Sequence, residues 1–545
     1  MNGGDALVAT LLAHGCDTGF CVPGESYLAI LAALRRERAR FRLITNRHEA
    51  GVTFAAEAYA KLTTKPGIAF VTRGPGATNA AIGLHTADQD SSPLVLFIGQ
   101  VPSAHLGLEA FQEIDYTRMY GPIAKAVIEP KTPAEVADAT AQALDLAAAG
   151  RPGPVVVPLP EDVTEGGASE PLIPAPTPRP VTAPEPGAVA EAARLIATAS
   201  RPIIISGEMV SYEGAHAALR HLAEASGAGV ITAFRRQDTY PNDQGAYFGH
   251  YGLGRAPFQR QAWADCDLVI VAGNRLDAIT TEDYSLLRDD QKLIHIHIDP
   301  AVLGRTSPPD VAMACDVGAA MSAIAAGLPP PLNARLAWRD RVHQELIRFQ
   351  DEPPEALGDV DMAVVIRTLA ARLKDEDHII SNDGGNFASW LHRYFPYRRP
   401  YSQAAPASGA MGAGVPGALA AKLARPRATV IGMAGDGAFL MTGQELATAL
   451  LHDIAIKLIV CDNSAYGTIL MHQHRAQGPG AYHGVELRSP DFAALARAYG
   501  AAAWTVTQTD QFAAALDDCL AHDGPTLIHL KTDIRDISAY GPLAD

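Results

Sequence analysis

Fourteen short apolar runs rich in β-branched residues, separated by Ala- and Gly-rich stretches, constrain the fold more than any other feature of the chain. GFCV, FRLIT, GIAFVT, LVLFIG and PVVVPL come first. PIIIS, GVIT, DLVIVAG and KLIHIHID follow, then HIIS, ATVIGMAG, IKLIVCD, AAWTV and TLIHLKT. Runs that are apolar throughout, rather than at every second residue, suit strands buried on both faces. That means parallel sheets covered by helices on either side. Two breaks divide the runs. Residues 171–186 hold seven prolines in sixteen positions, which excludes a helix or a central strand and reads as a stiff extended linker. Over 328–360, LPPPL and DEPPEALGD bracket a short amphipathic helix. The expected fold is α/β, with three doubly wound parallel-sheet domains over residues 1–165, 185–327 and 355–545. A chain of 545 residues agrees, at roughly 100–200 residues per domain.

Composition narrows the partners. A formal net charge of −16 argues against nucleic acid and against an anionic membrane surface. Six scattered cysteines without a C-x-x-C pair fit buried thiols in a reducing compartment. No basic leader precedes an apolar stretch, and no apolar run nears ~18 residues, so the expected location is the cytoplasm, away from the membrane.

Two neighbouring runs, 428–434 and 454–461, each end in a polar cluster: Gly435-Asp436-Gly437 and Asp462-Asn463-Ser464. In a doubly wound sheet, ligands lie beyond the C-terminal ends of strands, so both clusters are binding candidates. Asp436 offers an anionic oxygen and Asn463 a neutral one, a hard donor set suited to magnesium. Gly437 and Ala438 are expected to lead into a helix near 442–452, whose first N–H groups would face an anion. Asp-Gly also occurs in ordinary tight turns, and the turn reading stays open on these residues alone.

Gly-Asp-Gly followed 27 positions later by Asn463 resembles the signature of the thiamine-diphosphate enzymes. RHEAGVTFAAEAYAK, TRGPGATNAAIGLHTA, EAFQEIDYT, GRPGPVVVPLPEDV, DGGNF (383–387) and SGAMGAGVPGALAAKLA extend the resemblance over nearly the whole chain, closest to the acetolactate-synthase-like branch. It implies an N-terminal pyrimidine-binding domain, a central Rossmann-like domain and a C-terminal diphosphate-binding domain. It implies magnesium on Asp436, Asn463 and the Ala465 carbonyl. Cofactor contacts are implied at Pro23, Glu49, Gly385, Asn386, Phe387, Met411, Gly435, Gly437, Ala438, Tyr466, Gly467 and Thr468, with Met411 as the apolar wedge that bends the cofactor. Glu49 matches the family's glutamate, which holds the aminopyrimidine in the tautomer that generates the ylid. Without the resemblance, Glu49 reads as a first-turn glutamate complementing a helix dipole. Glu57, further along, reads as structural. Gly412-Ala-Gly414-Val-Pro-Gly417 also spells G-x-G-x-x-G, but no apolar strand precedes it, so the dinucleotide reading is rejected.

The resemblance implies a 2-oxo acid that loses CO2 and passes its acyl group to an aldehyde or second 2-oxo acid. It implies a homodimer or homotetramer with the active site at the subunit interface. Phe111, Gln112 and Lys125 match the substrate side. Where acetolactate synthases carry a tryptophan that selects the acceptor, this chain has His472, a candidate proton relay with His474. A 2-oxo-acid decarboxylase or a benzaldehyde-lyase-like acyloin lyase is the alternative within the class. A flavin oxidoreductase on the same scaffold and a non-catalytic paralogue are the alternatives outside it. In the central block GHYGLG (249–254) and AGNRLD (272–277) match places where the branch grips FAD, with Arg275 as the matching arginine; FAD is compatible but not required. HIHID (295–299) reads as alternating strand residues ending at Asp-Pro rather than a metal site. Asp88-Gln89-Asp90 places acid near the substrate wall without a role readable from sequence.

Overall fold

The computed structural model describes residues 1–167, 173–252 and 254–543 and contains three parallel six-stranded sheets. The first is formed by β1 (Thr18–Cys21), β2 (Arg42–Thr45), β3 (Gly67–Val71), β4 (Leu94–Gln100), β5 (Ala126–Val127) and β6 (Pro154–Pro160), in the order β2-β1-β3-β4-β6-β5. The second has β7 (Pro202–Ser206), β8 (Gly229–Thr232), β9 (Tyr247–His250), β10 (Leu268–Ala272), β11 (Lys292–His297) and β12 (Val311–Ala314), in the order β12-β11-β10-β7-β8-β9. The third has β13 (His378–Asn382), β14 (Gln403–Ala404), β15 (Thr429–Gly435), β16 (Lys457–Asp462), β17 (Ala502–Val506) and β18 (Thr526–Lys531), in the order β14-β13-β15-β16-β18-β17. The first and third sheets therefore share one winding, 2-1-3-4-6-5, while the middle one is wound 3-2-1-4-5-6.

All fourteen apolar runs are strands. The four strands absent from the sequence reading, β5, β9, β12 and β14, all lie at sheet edges. An edge strand pairs on one side only and can be short or partly polar: in β12 burial alternates, and β14 is only Gln403-Ala404. The helix in the second break is longer than expected, Asn333–Asp351, and buries Arg335, Trp338, Val342 and Leu346 along one stripe. Residues 173–185 carry no regular structure, and Pro186 opens a helix; positions 171–172 of the linker lie outside the described residues.

The first and third domains share one hydrophobic core, whereas the central domain has its own. The shared core is built around the helix Glu49–Thr63, buried on nearly every side and carrying Ala, Gly or Val at seven of its fifteen positions. It meets the equally small-residue helix Gly414–Ala424, where Gly417 faces Ser381 and Ala58. Small side chains let two helices approach closely enough to be covered by both sheets.

Asp90 ties all three domains together. Its fully buried carboxylate accepts from Lys61 Nζ (2.9 Å), Arg236 Nη2 (2.7 Å) and the Ala407 N–H (2.9 Å). Lys61 also donates to the Ala405 carbonyl (2.8 Å) and pairs with Glu57 (3.1 Å), which accepts from Ser92 Oγ (2.8 Å). Beside this seam, Arg235 donates to the carbonyls of Pro406 (2.6 Å) and Asp383 (3.0 Å). Asp238 accepts from the N–H groups of Ser402 (3.0 Å) and Gln403 (3.1 Å). Asp88-Gln89-Asp90 is thus a junction between domains.

Removing one partner of a buried ion network leaves uncompensated charge. Asp90→Ala is expected to lower unfolding stability by about 3–5 kcal/mol, because Lys61 and Arg236 lose a shared anion. Denaturant titration checks this; a loss below ~1 kcal/mol contradicts it.

Candidate active site

The register Gly435↔Cys461 brings the C-terminal ends of β15 and β16 level, so Asp436 and Asp462 emerge side by side. The helix after β15 begins at Asp436 itself (Asp436–Thr442), earlier than the sequence expectation of 442–452. Gly435 is the extended residue before it, and a second short helix follows over Leu446–Leu451. Gly437 is required by space: a Cβ there would lie 2.6 Å from the Tyr466 ring.

The two neighbouring carboxylates are shifted in opposite directions. Burial raises the pKa of Asp436, and the charge of Asp462 raises it further, against hydrogen bonds from the Gly437 N–H (2.9 Å) and Ser489 Oγ (3.1 Å). Burial also works to raise Asp462, but hydrogen bonds from His529 (2.8 Å) and Lys531 (2.5 Å) outweigh it and hold Asp462 far below the ordinary range. Asp462 is neutralised from β18. Asp436 has no basic partner among the described residues, which leaves it suited to an added cation.

Asp462 also shapes the next turn. Its Oδ1 accepts from the Ser464 N–H (3.0 Å) and hydroxyl (3.2 Å), and Ser464 sits in the left-handed region at φ 56°. Asn463 Oδ1 accepts from the Ala465 N–H (3.1 Å). On the opposite wall, the buried Asp383 accepts from the N–H groups of Gly384 (2.7 Å), Gly412 (2.8 Å) and Gly414 (2.9 Å), so one carboxylate organises both the DGGNF turn and the Met411 loop. Burial pushes its pKa up to about 6 despite those three bonds. Asn386 Oδ1 accepts from Thr468 Oγ1 (3.1 Å) across the opening. Gly385, Asn386, Phe387, Met411, Gly435, Asp436, Gly437, Ala438, Asn463, Ala465, Tyr466, Gly467 and Thr468 consequently line one cavity of about 220 Å³. Its walls come entirely from the third domain.

Glu49 lies elsewhere in the same chain, as the first residue of its helix and buried to 9% exposure. Asn79 Nδ2 donates to its Oε2 (2.9 Å), and Gly76 lies against its Oε1. Gln112, at φ 65°, covers Gly74 directly before that turn. Pro23 is exposed in the loop after β1. Glu49, Asn79 and Gly76, with Gly74 and Gln112 beside them, are a candidate second half of the site at the strand ends of the first sheet. Other expected residues are not brought to either half. Lys125 donates to the carbonyls of Ala149 (2.6 Å) and Arg151 (2.9 Å), and burial lowers its pKa to about 8. Phe111 is 72% exposed. His472 is exposed on the helix Gly467–Gln477 and does not line the cavity, while His474 bonds the Tyr482 hydroxyl (2.7 Å).

Glu445 was not singled out in the sequence, yet it connects the two halves. It is fully buried, and its Oε1 accepts from the N–H groups of Arg47 (3.0 Å) and His48 (3.1 Å). Its Oε2 accepts from Asn46 (3.0 Å) and Thr448 (2.6 Å). A Cβ on Gly51 would lie 2.3 Å from that carboxylate, so glycine there permits the approach. The helical unit that begins at Asp436 therefore fixes the backbone leading into Glu49. In Glu445→Ala the carboxylate is removed, and the N–H groups of Arg47 and His48 both lose their acceptor. Hydrogen exchange at Arg47 and His48 is expected to quicken about 10–100-fold with the fold retained, as for a lost charged hydrogen bond; unchanged exchange contradicts this role.

Comparison with known proteins agrees with this architecture. Residues 1–119, 189–324 and 383–530 match the N-terminal TPP binding domain, the central domain and the C-terminal TPP binding domain of thiamine pyrophosphate enzymes. Among curated relatives, the probable acetolactate synthase large subunit of Methanocaldococcus jannaschii is 32% identical over 98% of this chain and 92% of its own length. The acetolactate synthase isozyme 2 large subunit of Escherichia coli is 32% identical over 98% of this chain and 96% of its own length. With three domains in matching order and both half-sites at strand ends, the chain belongs to the thiamine pyrophosphate enzymes.

Proposed function

We propose that the protein is a thiamine-diphosphate- and magnesium-dependent carboligase of the acetolactate synthase type. In this reading it decarboxylates a 2-oxo acid and transfers the acyl group to a second 2-oxo acid or an aldehyde. The observation that carries the reading is the convergence of Asp436, Asn463, Ala465 and the glycine-rich 384–387 turn on one cavity. The relatives' names support the reaction class and do not favour a flavin oxidoreductase on this scaffold. The donor set fits magnesium: Asp436 lacks an internal cation, and amide and carbonyl oxygens lie beside it. Magnesium there would hold the diphosphate, and Met411 would support the bent cofactor. The bound cofactor supplies a carbon nucleophile and an electron sink. Glu49, kept from bulk water and oriented by Asn79, would hold the proton on the aminopyrimidine ring.

Glu49 and the cavity lie apart in one chain, so a second copy is proposed to complete each site, in a homodimer or homotetramer. Exposed apolar side chains near both halves support this: Ile82 at 40%, Leu440 at 48%, Met441 at 44% and Ile469 at 51%. In this reading Gln112 would face the substrate, and His472, exposed on its helix and outside the cavity wall of one chain, would meet the acceptor only in the assembled site. The exposed, polar His472 is what favours the second reading, a 2-oxo-acid decarboxylase or acyloin lyase. Six free, buried cysteines support a cytoplasmic location. No described helix is long and apolar enough to cross a membrane.

Given pyruvate, thiamine diphosphate and magnesium, the protein is expected to release CO2 and form acetolactate together. CO2 without a condensed product would select the second reading, and no turnover with cofactor bound would refute pyruvate as donor. Glu49→Gln is expected to retain cofactor binding but lose about 10²–10⁴-fold in turnover. Full turnover by that variant would overturn the role of Glu49.

A further inference from the structure

The 3-2-1-4-5-6 winding of the central domain creates a crevice where the strand order reverses, between β7 and β10. In such sheets a dinucleotide's pyrophosphate lies against the turn after the first strand, where glycines and free N–H groups receive it. Here that turn is Gly207-Glu208, and the Glu208 side chain is buried at 8% exposure. Its Oε1 is 3.1 Å from Arg275 Nε, and its Oε2 accepts from Asn274 Nδ2 (3.3 Å). Burial works to raise its pKa, but the charges of Arg275, Arg236 and His297 hold it below the ordinary range. Arg275 also donates to the Gln89 carbonyl of the first domain. The arginine that the resemblance assigned to FAD is already satisfied from within.

The other cations of the crevice are similarly engaged. Arg236 pairs with Asp90 (2.7 Å), and Arg151 pairs with Asp88 (3.3 Å) and donates to Ser91 Oγ (2.9 Å). Of the four arginines among the described residues lining the crevice, Arg305 is the one without an ion pair. The cavity has ample room, about 500 Å³, so volume does not oppose a pyrophosphate; the Glu208 carboxylate at the receiving turn does. The described residues of GHYGLG do not line it: Gly249 and His250 belong to edge strand β9, and His250 lies against His392 with ring centroids 4.7 Å apart. Leu253 of that motif lies outside the described residues.

We propose that Glu208 is a built-in anion that takes the place of a dinucleotide pyrophosphate on Arg275, so that the central domain keeps its crevice but does not take FAD. Arg275 then serves to hold the central domain to the first through Gln89.

Full-length protein would be denatured to release any flavin for fluorescence assay, and the native protein titrated with FAD. The wild type is expected to carry no flavin and to show no saturable binding. Glu208→Gln and Glu208→Gly are expected to gain saturable FAD binding, tighter by about tenfold or more, as removal of one close like charge implies. Glu208→Asp, which keeps the charge, is expected to remain flavin-free. Stoichiometric flavin in the wild type would overturn the proposal whether or not the variants fold. Neutral variants that bind thiamine diphosphate normally but no FAD would overturn it as well.

Discussion

Close packing of the helices Glu49–Thr63 and Gly414–Ala424 is the constraint on which the arrangement depends. It merges the cores of the first and third domains, although a long stretch of chain separates them. The small residues that make this contact also fix where each half-site points. Glu49 begins one of the two helices, and the Met411 loop leads into the other. Both halves are therefore held by a rigid unit, yet the cavity takes every lining residue from the third domain. A site proposed to form between two copies follows naturally from such a unit, since each chain presents two complementary halves in fixed relation.

Electrostatic organisation adds to that rigidity. Adjacent strand ends carry two carboxylates, and β18 resolves their repulsion by supplying His529 and Lys531 to only one of them. Asp436 keeps no basic partner among the described residues, which suits the magnesium proposed there. Asp383, Glu445 and Asp90 share one design: each is a buried carboxylate that accepts several hydrogen bonds from other segments. A carboxylate in this setting orients several donors at once, which a hydrophobic contact cannot do. Together they place the Met411 loop, the approach to Glu49 and the junction of the three domains. The central domain uses the same device differently, with Glu208 on Arg275.

Much of this was legible in the sequence because the relevant signals are local. Interior strands of a covered parallel sheet must be apolar throughout, which made β3, β4, β7, β10, β15 and β16 readable. The turn residues around Asp436 and Asn463 lie within a few positions of those strand ends, so the third-domain cavity was readable as well. Edge strands were readable only where they are apolar, as in β2 and β17, and not where residues such as Gln403 meet no apolar requirement. Glu445 was invisible because its partners, Asn46, Arg47 and His48, are some 400 positions away, and a lone glutamate in a helical stretch has no spacing to mark it. The hydrogen bonds of Lys125 were unreadable for the related reason that its backbone acceptors, Ala149 and Arg151, come from a later loop. A pattern along the chain reports strand and turn chemistry; long-range side-chain partners leave no such pattern.

The most direct test of a site divided between two copies is complementation between two inactive chains. Glu49→Gln and Asp436→Ala variants, differently tagged and co-expressed, would be isolated as mixed assemblies and assayed with thiamine diphosphate, magnesium and a 2-oxo acid. One intact site forms in each mixed dimer if Glu49 and Asp436 of opposite chains meet, so activity is expected to recover to about half that of the wild type. Mixed dimers as inactive as either parent, with cofactor bound, would contradict the account.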